Sequence, residues 1–369
     1  MKKIVENLIS DPNQCQIQNV DHNSNNNPNY DLIYQFDYIE KFFPDKKVCM
    51  FDIETTGLNA QCSFTYIIGI NIKVNGIWQI IQLFNDDGES EPEIIREFQS
   101  IIKDYDVLVE FNGDRFDIPY IEKRMAFIEQ KYHIRLTDNF DKIRNFDLMK
   151  IIRPYKFALG LPNIKQKTIE KYFGINRIDK YNGGELINIY LDYLTSGNER
   201  HKAMVLRHNR DDMEGMILLG PILAIEGLVD GRYQISDIKI TRRNGNNPIN
   251  NIFLEIILDL EFPLASEIDT SGYECKLWAK NNKAILTVPI KIDTLRYYYS
   301  ECQRDGFEEK EGFFVSSLKD KMDKLPTYKE CARKKECYYL LDDNFLGNKE
   351  FIMQYSIAII SQILQYKGR

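Results

Sequence analysis

The chain has 369 residues, and 43% of them are hydrophobic, which is enough apolar material to form a folded core. Its length exceeds the size at which a single hydrophobic core usually stops growing, so we expect two domains. The formal net charge of -7 excludes a broadly basic surface, although a cluster of metal-binding carboxylates would contribute to this value. The seven cysteines form no CxxC pair, and neither a signal segment nor a membrane-spanning apolar run occurs. We therefore predict a soluble cytoplasmic protein with no membrane association.

The amino-terminal third begins with a polar stretch and continues into a strand-rich segment. Residues 1–30 end in an asparagine-rich run that predicts a mobile arm, and Asp31 is a candidate N-cap for a short helix ending at Pro44. Three strands and an amphipathic helix follow, with Asn75-Gly76 as the hairpin turn between the second and third strands. Their expected bounds are Val48 to Glu54, Phe64 to Val74, Trp78 to Phe84 and, for the helix, Glu91 to Tyr105.

Two acidic residues, Asp52 and Glu54, lie two apart in the first of these strands. Successive strand side chains point to opposite faces, so both carboxylates share one face. At that distance they repel and raise each other's pKa unless a cation lies between them, which indicates a site for a hard divalent ion. A solvated acidic face of an edge strand is the alternative.

A third acidic residue, Asp117, follows a short apolar strand over Val107 to Phe111 and precedes a helix. Open α/β sheets bind ligands at the carboxyl ends of such strands, so Asp117 is a candidate site residue. Capping of the helix is its alternative role.

Further along the chain, short helices are expected over Asn145 to Arg153 and Lys165 to Phe173. Basic and aromatic residues alternate around them, a pattern that suits a single-stranded nucleic acid, although a solvated helix face also explains it. A longer helix begins near Glu199, and in it His208 and Asp212 are four residues apart and share a face with apolar neighbours. We predict that this face points inward.

These acidic and histidine positions resemble the three motifs of the DEDD (DnaQ-like) 3′-5′ exonuclease superfamily, which has an RNase H-like fold. The motifs occur in the correct order as Asp52-x-Glu54-Thr55, Asn112-x-x-x-Phe116-Asp117 and His208-x-x-x-Asp212. The third, with asparagine directly after the histidine, is most similar to the YprB-like predicted exonucleases. The resemblance covers about residues 46–226 of the chain.

The resemblance implies that Asp52, Glu54, Asp117 and Asp212 hold two divalent ions, Mg²⁺ or Mn²⁺, at the carboxyl edge of a mixed sheet. Such ions activate a water and stabilise charge on the phosphate and the leaving 3′ oxygen. His208, at the spacing where the superfamily usually has Tyr, would orient or deprotonate the water. Asp211 is a second candidate for the fourth carboxylate. The substrate-binding residues would be Thr55, Leu58, Asn112, Phe116, Lys165 and Lys167.

The carboxyl-terminal region changes to alternating strands and a final apolar helix over Lys349 to Tyr366. An Asn281-Asn282 turn is expected between the last two of four strands, whose expected bounds are Tyr233 to Arg242, Asn251 to Phe262, Tyr273 to Ala279 and Lys283 to Ile292. We predict three regions: 1–45, an arm and short helix; 46–230, an RNase H-like exonuclease domain of α/β class with a mixed sheet flanked by helices; and 231–369, an α+β accessory module of unknown role.

The expected activity is metal-dependent 3′-5′ exonuclease cleavage of single-stranded DNA or RNA, and the sequence specifies no protein partner. One alternative is a nucleic-acid or protein binding module that keeps the fold without turnover, against which the presence of all four carboxylates argues. A second alternative is a structure-selective endonuclease, which an open groove in place of a blind pocket would favour.

Overall fold

The computed structural model describes residues 1–8, 36–136, 140–175, 181, 183–243, 251–299, 306–318, 322 and 324–367. Asp31 and the asparagine-rich run before it lie outside these residues. The chain divides into two compact units, Met1–Arg153 with Asn163–Ile222 and Pro154–Pro162 with Leu223–Arg369. Within the described ranges, no helix combines the length and the apolar character needed to cross a membrane.

The first unit is built on a six-stranded mixed sheet with strand order β1-β4-β3-β2-β5-β6. Strands β1 to β4 pair antiparallel, whereas β2, β5 and β6 pair parallel. Its elements are β1 (Lys2–Asn7), α1 (Tyr38–Phe42), β2 (Val48–Thr55), β3 (Thr65–Val74), β4 (Ile77–Phe84), α2 (Glu91–Ile102), β5 (Val107–Glu110), α3 (Asp117–Tyr132), β6 (Arg144–Asp147), α4 (Leu148–Ile152), α5 (Gln166–Tyr172), α6 (Gly183–Ser196) and α7 (Glu199–Leu218).

The β3–β4 hairpin forms where the sequence predicts it. Asn75 and Gly76 both have positive φ, 51° and 81°, as a two-residue turn that matches the twist of its strands requires. Val74 pairs with Ile77 directly across this turn. The hairpin prediction is therefore confirmed.

The amino-terminal segment differs from the mobile arm that we predicted. Lys2–Asn7 is an edge strand that pairs antiparallel with β4, from Lys2 opposite Phe84 to Asn7 opposite Gln79. This strand buries almost no side chains, and Val5 is 51% exposed. Its sequence therefore lacks the alternation of apolar and polar residues by which a half-buried strand is predicted. The helix that follows is capped by Asp37, whose side chain accepts a hydrogen bond from the Glu40 N–H.

Helices cover both faces of this sheet, and the side chains of β2 alternate between the two faces. Phe51 and Ile53 belong to the core formed with α2 and α3, and the Phe51 ring stacks on Phe98 with centroids 5.1 Å apart. On the opposite face Tyr66 of β3 stacks on Tyr190 of α6 at 4.3 Å. Because strand side chains alternate, the β2 carboxylates point to this second face, which α7 also covers. This mixed sheet flanked by helices is consistent with an RNase H-like fold.

The second unit is an α+β assembly around a six-stranded antiparallel sheet of order β11-β12-β10-β9-β8-β7. Its elements are α8 (Ile222–Val229), whose first residue ends the first unit, β7 (Tyr233–Arg242), β8 (Ile252–Gly272), β9 (Cys275–Tyr298), β10 (Phe307–Ser316), β11 (Thr327–Tyr328), β12 (Tyr338–Leu340), α9 (Asp343–Gly347) and α10 (Lys349–Leu364).

The predicted turn at Asn281-Asn282 is wrong. Strand β9 continues through these residues, and Asn281, at φ 51°, lies where the β8–β9 pairing is irregular. The turn is formed instead by Tyr273 and Glu274, which have φ of 53° and 66°. A bulge absorbs the left-handed residue without ending the strand.

Candidate metal centre

The first half of the candidate site is the carboxyl end of β2. Glu54 Oε2 accepts a hydrogen bond of 3.4 Å from the hydroxyl of Tyr66 on the neighbouring strand. Tyr66 is completely buried, and burial together with the adjacent Glu54 carboxylate raises its pKa, so it remains a protonated donor. Directly after Glu54 the pairing with β3 shifts by a bulge, a feature that often re-aims side chains beside active sites.

The second half of the site lies on α7. His208 Nε2 is 3.2 Å from Asp212 Oδ2, one helical turn away, and 3.5 Å from Glu54 Oε1. The ligand atoms of these three residues all lie within 4.8 Å of one another. Their side chains are only 8%, 17% and 12% exposed, in the order named. The helix face that carries His208 and Asp212 therefore points inward.

Asp52 is held by an amide from the same helix. The fully buried Asn209 donates a 3.3 Å hydrogen bond from Nδ2 to Asp52 Oδ2, and its oxygen accepts from Gln82 Nε2 at 3.0 Å. A close approach makes this contact possible, because a Cβ at Gly69 of β3 would lie 2.6 Å from Asn209 Oδ1 and 2.7 Å from Met213 Cγ.

Asp117 reaches β2 from the first turn of α3. Its Oδ1 accepts a 3.2 Å hydrogen bond from the backbone N–H of Ile53, the residue between the two β2 acids. The helix-capping alternative fails, because the N-cap is Phe116 and no side-chain cap bond is present. Burial raises the pKa of Asp117 to about 7 and the Asp147 charge adds to this, while backbone hydrogen bonds oppose it.

The two candidates for the fourth carboxylate have different surroundings. Asp211 lies 3.9 Å from Arg207 Nε and 3.8 Å from Arg210 Nη1, and so faces the basic side chains of its own helix. Asp212 lies beside His208 and Glu54. The geometry favours Asp212.

The predicted substrate residues of the first two motifs have unequal access to a ligand. Leu58 is 85% exposed in the loop after β2, whereas Thr55 is buried and donates to the Gly57 carbonyl at 3.0 Å. Asn112 has a φ of 70° and donates its N–H to Asp147, and Phe116 is half-buried against Tyr120. Leu58 is thus the apolar side chain of this set that is presented to solvent.

Lys165 and Lys167 are exposed on either side of Gln166, whose Nε2 donates to the Asp212 carbonyl at 3.0 Å. This hydrogen bond brings the start of α5 to the acidic end of the site. The predicted alternation of basic and aromatic residues is only partly available to a ligand, because Tyr155 and Phe173 are buried in the core. Arg177, the last member of the predicted basic run, lies outside the described residues.

Three residues that support the site were not singled out by sequence reasoning: Tyr66, Gln82 and Asn209. Asn209 directly follows His208 in the third motif, so the sequence indicated that it lies near the site but did not indicate that it contacts Asp52. Tyr66 and Gln82 carried no signal, because their contacts depend on how the strands and α7 pack together.

The donor set suits a hard divalent cation. Carboxylate oxygens are the ligands that Mg²⁺ and Mn²⁺ prefer, whereas imidazole suits softer metals, so the carboxylates and not His208 would hold the ion. The carboxylates of Glu54 and Asp212 lie within 4.8 Å of each other and repel, and burial opposes the charge on Asp117. A divalent ion would relieve both penalties, so these residues fit the metal site that the sequence implies.

Comparisons with known proteins agree with this architecture. Residues 49–223 match the model of the RNase_H superfamily. The chain is 28% identical over 120 residues to DNA polymerase 1 of Sulfurisphaera ohwakuensis and 30% identical over 115 residues to a DNA polymerase of Desulfurococcus sp. (strain Tok). Each alignment covers 26% of this chain and 14% of the polymerase, so the chain spans only a small part of these relatives.

Two solved structures show weak overall similarity. The family B DNA polymerase of Pyrobaculum calidifontis aligns over 87% of this chain and 46% of its own, with 11% identity and a TM-score of 0.42. The zinc-bound E. coli ExoI–ssDNA complex covers 87% and 71%, with 11% identity and a TM-score of 0.27. Scores this low do not establish a common overall fold. The match to the RNase_H superfamily is the one that bears on the site. It covers residues 49–223, and this range contains all five candidate catalytic positions.

Proposed function

We propose that this chain is a metal-dependent nuclease of the DEDD type, similar to the YprB-like group, that removes nucleotides from the 3′ end of single-stranded DNA or RNA. The observation that carries the proposal is the convergence of Glu54, His208 and Asp212. Asp52 lies on the same strand as Glu54 and is bonded to α7 through Asn209, and Asp117 accepts a hydrogen bond from the Ile53 N–H of that strand. The superfamily match and the partial similarity to DNA polymerases support a role on nucleic acid.

Asp52, Glu54, Asp117 and Asp212 would hold two divalent ions, Mg²⁺ or Mn²⁺. When bound, the ions would activate the attacking water and stabilise charge on the phosphate and the leaving 3′ oxygen. His208 would orient the water or accept its proton. Its Nε2 lies 3.2 Å from Asp212 Oδ2 and 3.5 Å from Glu54 Oε1, and these are two of the carboxylates that would hold the ions. Tyr66 would keep Glu54 in place through its hydroxyl.

The substrate would approach along the exposed residues of the site. Leu58 would pack against the terminal base, and Lys165 and Lys167 would contact backbone phosphates. Asn112 and Phe116 would shape the floor of the site, and Thr55 would fix the loop that carries Leu58. This nuclease function belongs to residues 46–230 in our proposal, with 231–369 as an accessory module in a cytoplasmic protein.

The experiment that tests the proposal is digestion of a 5′-labelled single-stranded RNA and a matching DNA, with Mg²⁺, with Mn²⁺ and with chelator. A ladder shortening from the 3′ end, dependent on metal and absent in Asp52→Asn, is the expected result. Asn is nearly isosteric and keeps the Asn209 contact possible, so loss of cleavage would not arise from unfolding. Internal cuts would favour the endonuclease alternative, and binding without cleavage would favour the binding module.

A further inference from the structure

A second group of acids lies at the same sheet edge, on the next two strands. Glu110 ends β5 and Asp147 ends β6, and the two residues are direct partners in the parallel pairing of these strands. Asp114 follows in the loop after β5. The ligand atoms of these three carboxylates all lie within 4.8 Å of one another. None of the three belongs to the candidate centre described above.

Backbone amides hold the inner two carboxylates in fixed orientations. Glu110 Oε2 accepts from the Gly113 N–H at 2.7 Å, and the loop is so close that a Cβ at Gly113 would lie 2.8 Å from the Glu110 side chain. Asp147 Oδ1 accepts backbone N–H bonds from Asn112, Met149 and Lys150 at 2.9, 2.8 and 3.2 Å. The Glu110 and Asp147 side chains are therefore a framework that backbone hydrogen bonds hold in place.

One oxygen of this framework lacks a partner within the described part of the chain. Glu110 is completely buried, and its Oε1 accepts or donates no hydrogen bond among the described residues. A buried polar atom left unsatisfied carries the full desolvation penalty of its group, and the penalty is larger when the group is charged. Burial, and next the Asp147 charge, raise the pKa of Glu110 to about 9, which reports the same penalty on the bare carboxylate. A cation bound at this oxygen would remove the penalty, and so in part would a proton on Glu110.

In the described part of the chain, the basic side chain nearest to this cluster pairs with its outer acid, Asp114. Lys150 Nζ lies 3.1 Å from Asp114 Oδ2, and the lysine side chain is 71% exposed. Among the described residues, no basic side chain comes within ion-pair distance of Glu110 or Asp147. Asp114 is 31% exposed, so the cluster is reached from solvent on that side.

We propose that Glu110, Asp114 and Asp147 form a separate binding site for a hard divalent cation such as Mn²⁺, Mg²⁺ or Ca²⁺. Oxygen ligands from three carboxylates match the preference of these ions, and the free Glu110 Oε1 supplies the innermost ligand. A cation there would tie both strand ends to the loop that contains Asn112 and Phe116. The site would thereby stabilise the segment leading into Asp117.

This proposal does not depend on the proposed nuclease function, so the test is binding. The full-length chain carrying Asp52→Asn, Glu54→Gln and Asp212→Asn would have a disabled catalytic centre, and its Mn²⁺ stoichiometry would be measured by calorimetry and electron paramagnetic resonance. We expect one Mn²⁺ per chain to remain. Adding Glu110→Gln should weaken this binding at least ten-fold, and Asp114→Asn should weaken it too.

Two controls make the result decisive. Asp114 is partly exposed, so Asp114→Asn reports on the site even if Glu110→Gln does not fold, and the exposed Glu93→Gln on α2 should leave binding unchanged. Absence of Mn²⁺ from the disabled-centre protein would overturn the proposal, as would binding insensitive to both cluster variants. In that case a proton on Glu110 is the occupant, and Glu110→Gln should raise the stability of the metal-free protein.

Discussion

The side-chain nitrogen of Asn209 donates a hydrogen bond to Asp52 Oδ2 at 3.3 Å, so an uncharged amide on α7 positions a carboxylate on β2. The orientation of this amide is defined, because its oxygen accepts from Gln82 Nε2 at 3.0 Å and its nitrogen must then face Asp52. A neutral donor fixes the carboxylate without competing as a positive charge for the place of a cation. Asn209 would therefore be a positioning residue for the proposed metal centre.

We predict that Asn209→Ala lowers Mn²⁺ affinity of the catalytic centre about 10- to 100-fold, the range found when the hydrogen-bond partner of a metal ligand is removed. The proposed nuclease activity should recover in part at high Mn²⁺, because the ligands themselves would remain. Arg207→Ala, an exposed change two residues away on the same helix, is the matched control. Equal Mn²⁺ affinity in Asn209→Ala and the control would refute the positioning role.

We predict that His208→Gln reduces turnover by about 10²- to 10⁴-fold, the usual contribution of a general base, while metal binding persists. Glutamine can still donate a hydrogen bond to Asp212 but cannot accept a proton at neutral pH. The measurement is single-turnover cleavage at saturating Mn²⁺, alongside calorimetric Mn²⁺ binding. Exposed His133 provides a control as His133→Asn, because Asn tolerates the positive φ of 54° at that position. A large loss of Mn²⁺ binding would instead make His208 a metal ligand.

We predict that divalent metal stabilises the folded chain. Binding to the native state alone contributes about 2.7 kcal/mol when the free metal is at about 100 times its Kd. Thermal melts with Mn²⁺ and with chelator should therefore differ by several degrees, and Asp52→Asn should reduce the difference. A melting temperature independent of metal in the parent protein would contradict both metal assignments.

The metal-free protein should become less stable as pH rises. Burial holds the pKa of Asp117 at about 7 and that of Glu110 at about 9 in the folded state, above the value of about 4 for unfolded carboxyls. The folded state thus binds these protons more tightly, and the stability they contribute is lost between about pH 4 and each folded pKa. Urea unfolding in chelator should show this decline, and Glu110→Gln should remove the part that is due to Glu110, which extends beyond the Asp117 pKa up to about pH 9. Parallel curves for the two proteins would disprove the assignment to Glu110.

A buried ion pair holds the loop that follows β2. Arg124 donates to Glu91 Oε1 and Oε2 at 2.8 and 2.5 Å and to the Ala60 carbonyl at 2.7 Å, and Glu91 also accepts from the Thr65 N–H at 2.8 Å. Arg124→Met would leave a buried carboxylate unpaired, so we predict a loss of about 3–5 kcal/mol in the free energy of unfolding. The exposed Lys3–Glu97 pair is the control, and Lys3→Met should cost less than about 1 kcal/mol. Similar losses in the two variants would show that the loop does not depend on this pair.

Local patterns were sufficient for much of the first unit. The alternation of β2 predicts that Asp52 and Glu54 share a face, and Asn75-Gly76 predicts the hairpin, because both features depend on residues adjacent in sequence. The helix prediction over Asn145 to Arg153 was less successful, since Arg144–Asp147 is a strand and only Leu148–Ile152 is helical. A four-residue strand is too short to show a period.

Long-range pairing explains what the sequence did not reveal. Asn209 and Asp52 are 157 residues apart, and nothing in either segment names the other as its partner. The Lys2–Asn7 strand is defined by its backbone bonds to β4 rather than by buried side chains. At Asn281 the turn propensity was real but was overridden by continued pairing of β8 with β9 through a bulge.

The missing side chain at residue 69 has a consequence for the whole centre. The two halves of the site come from separate segments, and their spacing is determined where α7 crosses β3 with no atom beyond the glycine Cα. A single methyl group there would displace the Asn209 amide and the Met213 side chain, and with the amide the hydrogen bond that holds Asp52. Gly69 contributes no side chain to the site, yet the space that it leaves is what allows the Asn209 amide to reach Asp52.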